Sequence, residues 1–88
     1  MDSLTRIFDL IRRERVYQDQ KWGSVKENPH TIEEWMDIIN DEVYEAWAGG
    51  HYSKVSMEKS LAEIIQAAAV ACACLEQYED VLGNYKGR

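Results

Sequence analysis

Proline occurs once in these 88 residues, at Pro29, and glycine five times, so little interrupts helical geometry. Abundant Ala, Glu, Leu and Ile favour helices in its place. There are only two cysteines, Cys72 and Cys74. Two positions apart on a helix they point about 200 degrees away from one another and do not bridge. They read as buried thiols in a reducing cytoplasm, which excludes a zinc pair or a redox site. Basic residues are outnumbered, ten Lys and Arg against sixteen acids, for a formal net charge of -6. No basic tract offers counterion release, which excludes a nonspecific grip on a DNA or RNA polymer. Small phosphorylated ligands stay open, because a metal or a few local cations reverse the potential. The longest apolar run, Ala67 to Leu75, is too short to span a bilayer. No basic region leads into an apolar segment at the start, so neither a secretory leader nor a membrane partner is expected.

What is present, 45% hydrophobic and 30% charged, fits one soluble globular domain over residues 1–88. Three helices are predicted. The first runs from about Ser3 to Asp19, capped by Asp2 or Ser3, with Leu4, Ile7, Phe8 and Ile11 as its apolar stripe. A linker, Lys21 to His30, carries Trp22, Gly23, Asn28 and Pro29. The second helix opens at Thr31, with Glu34 three positions on as a capping box, and stops at Gly49-Gly50. Its stripe is Ile32, Trp35, Met36, Ile39, Val43, Ala46 and Trp47, while Glu33, Asp37 and Asp41 fall on the solvated outer face. The third starts near Ser53 or Ser56 and runs to about Leu82, closed by Gly83. It is apolar all round and so needs neighbours all round. The expected fold is therefore all-α, a three-helix chain forming a helical bundle completed by homo-oligomerisation.

Two polar pairs stand out against this apolar pattern. Glu42 and Glu45 lie on the margin of the second helix's stripe, and Glu63 and Gln66 are the polar side chains of the third helix between Leu61 and Leu75. A spacing of three puts both members of each pair on one helix face. Three carboxylates and an amide then line the seam between two helices, where they repel and lose solvation unless a cation joins them. Facing helices with oxygen ligands at i and i+3 can surround such an ion. The all-oxygen set, Glu42, Glu45, Glu63 and Gln66, favours Mg²⁺ or Mn²⁺ over zinc. That chemistry suits phosphoanhydride hydrolysis, with a carboxylate not held by metal accepting a proton from the attacking water. A Gly-rich phosphate loop, a Ser-His-acid set and a Cys-His pair are all lacking. His30 and His51 read as linker residues, His51 near enough to the flexible turn to approach a ligand.

The chain resembles the MazG-like members of the all-alpha nucleoside triphosphate pyrophosphohydrolase superfamily. Their first motif, E-E-x-x-E, is similar to Asp41-Glu42-Val-Tyr-Glu45, and their second, E-x-x-D, to Glu63-Ile-Ile-Gln66. Short, phage-related relatives carry stretches like Lys21-Trp22-Gly23, His30, Glu33-Glu34-Trp35 and the small-residue helix Ala67 to Leu75. The likeness spans most of the chain from Arg12 to Leu75. It implies hydrolysis of a nucleoside triphosphate to the monophosphate and pyrophosphate with Mg²⁺, by a homodimer or dimer-of-dimers with sites between helices. By position Glu42, Glu45 and Glu63 match metal ligands, Gln66 takes the place of the fourth, and Asp41 matches the leading acid, a water-orienting group. Gln66 brings no charge and cannot act as base, so slower turnover is implied; the alternative is a helical oligomer that binds nucleotide or a protein without turnover. Trp22, Trp47 and Tyr52 are candidates to stack on the base. Lys21, Lys54, Lys59 and Arg15 are candidates to meet the phosphates.

Overall fold

The computed structural model describes residues 2–50 and 54–87, the side chains of 49, 50 and 54–56 excepted. The chain is all-α, in the order α1 (Ser3–Trp22), α2 (Ile32–Gly50), α3 (Lys54–Gln77) and α4 (Glu79–Leu82). The described residues thus form four helices and not three. The expected long third helix breaks at Tyr78, whose backbone (φ -106°, ψ 27°) leaves helical geometry before the short α4 begins. The break coincides with a tether. The Gln77 side chain and the Tyr78 hydroxyl both bond His30 on the α1–α2 linker. Periodicity alone carries no sign of that long-range attachment.

α1 and α2 start where local chemistry directs. The Asp2 carboxylate accepts the Thr5 N–H at 2.8 Å, satisfying a donor the first turn leaves open. At α2 the capping box closes in both directions, Thr31 N–H to Glu34 Oε1 at 2.8 Å and Glu34 N–H to Thr31 Oγ1 at 3.1 Å. The end of α1 lies a turn beyond the expected Asp19. Gly23 supplies the stop, with φ 84° and its N–H on the Asp19 carbonyl at 2.8 Å. Asn28 folds back to donate to the Trp22 carbonyl at 2.8 Å. A Cβ on Gly23 would meet that amide nitrogen at 2.5 Å, so both space and backbone angle call for glycine there.

α3 is the central element. It packs against α2 and against α1, which do not pack on one another among the described residues. Trp35, Val70, Ala73 and Cys74 form the core, with Val25, Ile38, Ile39 and Tyr78 around it. Cys72 and Cys74 are both free thiols, and burial holds the Cys74 thiol above its ordinary pKa. Much of the expected burial is absent within one chain. Leu4, Ile7 and Phe8 of the α1 stripe are exposed, as are Met36, Val43 and Trp47 of α2 and Leu61, Ile64 and Leu75 of α3. The accessible surface is 7194 Å², where a compact folded chain of this mass exposes about 5,300 Å². The radius of gyration is 14.2 Å, against about 12 Å for a compact domain of this length.

Candidate metal centre and adjoining cavity

The side-chain cluster is set by the register of α2 on α3. The Ser60 hydroxyl donates to the Ala46 carbonyl, and these two residues lie within one turn of Glu63 and Glu45. That bond pins the helices so that the two acidic faces meet. Glu42, Glu45 and Glu63 each bring a carboxylate oxygen within 4.8 Å of the other two. Glu42 and Glu63 are half-buried, Glu45 exposed. One oxygen of Glu42 and one of Glu63 are shut off from solvent with no hydrogen-bond partner. Buried acceptors left this way are costly, and a cation is the ligand that suits them. The triad can hold a divalent ion; its oxygen donors suit a hard one.

The electrostatics agree with the geometry. The Glu42 carboxyl is held above the ordinary glutamate range, first by burial and then by Glu45, Glu63, Glu14 and Asp41. Glu14 is the residue sequence reasoning missed. It sits half-buried on α1, and its charge reaches Glu42 across the gap between α1 and α2. No local motif marks it; only the docking of α1 on α3 brings it near. That docking rests partly on Gln18, buried at 5% exposure, whose amide nitrogen donates to the Gln66 carbonyl at 3.3 Å.

The other expected residues are distributed around this centre. Asp41 is exposed on the outer side of α2, felt by Glu42 through its charge. Gln66 is half-buried, one turn past Glu63 on α3. Arg15 is buried and engaged by Glu76 at 2.6 Å and Asp19 at 3.0 Å. Burial opposes its charge, but the hydrogen bonds and charges of those two carboxylates outweigh it and raise the guanidinium pKa. Lys21 and Lys59 are exposed, the Lys21 ammonium lying 4.7 Å from the Trp22 ring centre. Trp47 is exposed on α2. The Lys54 side chain, His51 and Tyr52 lie outside the described residues.

Among the described residues α1 and α2 pack on α3 and not on one another, and a cavity of about 440 Å³ opens between them. Trp22, Val25, Trp35, Ile38, Val70 and Ala73 give it apolar walls, while Arg15, Gln18 and Asp19 add polar ones. Glu42 belongs both to this lining and to the carboxylate triad, so the two sites are continuous. Comparison of the chain with family profiles, with characterised proteins and with solved structures gives no match.

Proposed function

We propose that this chain is a divalent-cation-dependent nucleoside triphosphate pyrophosphohydrolase, cleaving between the α and β phosphates to give the monophosphate and pyrophosphate. The observation that carries the reading is the meeting of Glu42, Glu45 and Glu63, two with an orphaned buried oxygen, beside a cavity that shares Glu42. A ligand with an anionic tail and a flat apolar head suits that combination. The motif likeness of residues 41–45 and 63–66 supports the same choice.

In this reading Glu42, Glu45 and Glu63 hold Mg²⁺, or Mn²⁺, with the Gln66 amide oxygen as a neutral fourth ligand. The ion supplies charge neutralisation on the phosphate oxygens and a more acidic water. A carboxylate oxygen left free by a bound cation would accept the proton of the attacking water. Lys59, exposed on α3 one turn before Glu63, meets the phosphate tail, Lys21 lies with Trp22 at the nucleoside end, and Asp41 acts through its charge on Glu42. The cavity takes the nucleoside end, with Trp22 at its edge. Gln66, lacking charge, keeps cation affinity and rate below what a fourth carboxylate gives.

The excess surface and the exposed apolar faces of all three long helices support a second copy of the chain as partner, in a homodimer or dimer-of-dimers. A standard interface covers about 800 Å² per partner, well within the excess. By length and mean hydropathy, 1.2, Met57–Gln77 is also apolar enough to cross a bilayer. Its packing on α1 and α2, and the turn of Glu63 into the triad, support a helix that works against protein instead, and a cytoplasmic location is part of the same proposal. Gln66 favours a second reading, a helical oligomer that binds nucleotide without turnover.

The deciding experiment is product analysis over a nucleoside triphosphate panel with Mg²⁺ or Mn²⁺. Pyrophosphate is expected, and orthophosphate is not. Glu63→Gln is expected to abolish release while helicity and oligomer mass stay unchanged. Full activity in that variant removes the site assignment.

A further inference from the structure

Two apolar stripes stay uncovered within one chain. On α1 the face of Leu4, Ile7, Phe8 and Ile11 continues the one that sets Arg15 and Gln18 on α3. Its first half is open, with Phe8 60% exposed. On α2 Ile32, Met36 and Val43 run with Ile39 along one side, Met36 56% exposed. Among the described residues α1 and α2 do not pack on one another, so neither stripe covers the other. Opposite charges border them. Residues 3–13 hold Arg6, Arg12 and Arg13 against Asp9 alone, while α2 holds six acids and no Lys or Arg. At about 100 degrees per residue, Arg12 falls beside Phe8 on one flank of the α1 stripe, and Glu33 and Asp37 fall beyond Met36 on one flank of the α2 stripe. None of these three forms an ion pair among the described residues.

We propose that the first half of α1 seats antiparallel on the α2 stripe of a second copy of this chain, with Arg12 facing Glu33 and Asp37. The pairing rests on the second-copy proposal above, names the faces that meet, and is independent of the hydrolase reading. Only the antiparallel order brings the two charged flanks to the same side, because reversing a helix reverses the sense in which its faces succeed one another. Phe8 then lies over Met36, Arg12 over the first turn of α2, and Leu4 toward Val43. Such a contact is apolar at its centre and charged at its rim, and the rim charges choose the partner face. α1 of each copy reaches α2 of the other, so a two-fold axis closes the pair with both contacts made. The area suffices. The chain exposes 7194 Å², about 1,900 Å² beyond a compact chain of its mass, and a standard interface takes about 800 Å² from each partner. The α2 stripe is centred about 150 degrees around the helix from Ile38 and Glu45, so the cavity and the carboxylate triad stay open in the pair.

Charge reversal followed by mixing tests the pairing. Sedimentation equilibrium gives the dimer Kd of wild type, of Arg12→Glu, and of the double variant Glu33→Lys with Asp37→Lys, while circular dichroism checks helicity. Each variant alone puts like charges at both contacts, and its Kd is expected to rise about tenfold or more. Mixed in equal amounts, the two variants are expected to recover dimers, since one contact is then native and the other has its charges exchanged. A misfolded variant cannot give that recovery. Phe8→Ser, which truncates an exposed anchor, is expected to raise Kd about tenfold or more as well. Failure of the mixture to recover dimers overturns the pairing. A dimer indifferent to Arg12→Glu and Phe8→Ser but split by Ile64→Ser puts the interface on the exposed face of α3; the pairing then falls and the second-copy proposal stands. A monomeric wild type that sediments with phosphatidylserine vesicles, and loses them on Phe8→Ser, assigns the α1 stripe to a lipid surface and overturns both. Pyrophosphate release is read separately and decides neither.

Discussion

Replacing Glu42 by Gln removes one charge from the triad and nearly none of its volume. In the cation-free protein each pair of carboxylate oxygens lies within 4.8 Å. At that separation two unit charges repel by about 0.9 kcal/mol at water's permittivity and about 3.5 kcal/mol at an effective value of 20. Glu45 is exposed and side chains relax, so the lower figure governs. Losing two of the three repulsions is then worth about 1–2 kcal/mol after salt screening. The new amide can also donate to the orphaned Glu63 oxygen, which adds in the same direction. In a domain of this size each kcal/mol moves Tm by about 4–8 °C. Glu42→Gln is therefore expected to melt several degrees above wild type in chelator. Added Mg²⁺ or Mn²⁺ should reverse the order at a cation concentration about a hundred times Kd, because wild type then gains about 2.7 kcal/mol while the variant gains far less. Circular-dichroism melts with chelator and with each cation supply the measurement. A variant that melts below wild type in chelator, with a wild type indifferent to both cations, refutes the reasoning.

Other perturbations probe the rest of the fold and site. The Glu42 carboxyl has its pKa raised by folding, so its contribution favours the folded state below the ordinary glutamate range and is lost as pH rises through the raised value. Protons and cation compete for it, and the cation-induced rise in Tm is expected to shrink as pH falls through that window, as thermal melts across pH will show. Arg15→Met should cost about 1–3 kcal/mol in urea unfolding, since it leaves Glu76 and Asp19 without their shared partner. Gly23→Ala should cost about 1 kcal/mol or more by the same assay, from φ 84° and the clash with Asn28. Light scattering on the full chain should give a mass of at least two copies; a monomer at micromolar concentration removes the oligomer proposal.

Local patterns marked the helix starts, since a cap such as Asp2 or Thr31 and its partner are three residues apart and meet through the geometry of a single turn. The same locality put Glu42 with Glu45, and Glu63 with Gln66, on common faces. The end of α1 reads early because the polar residues just before Gly23 look like linker, although Gly23 itself marks the break. The break at Tyr78 escaped local patterns because Gln77 and Tyr78 are attached to His30, far away in the chain. Which acids would face each other was equally a matter of register, pinned by Ser60 on Ala46 and by Gln18 on Gln66. Glu14's approach to Glu42 and the cavity likewise exist only because α1 and α2 dock separately on α3. Spacing along a chain determines what shares a helix face, since the turn repeats every few residues whatever surrounds it. The distance between faces depends on contacts between remote residues, and only the tertiary structure decided those.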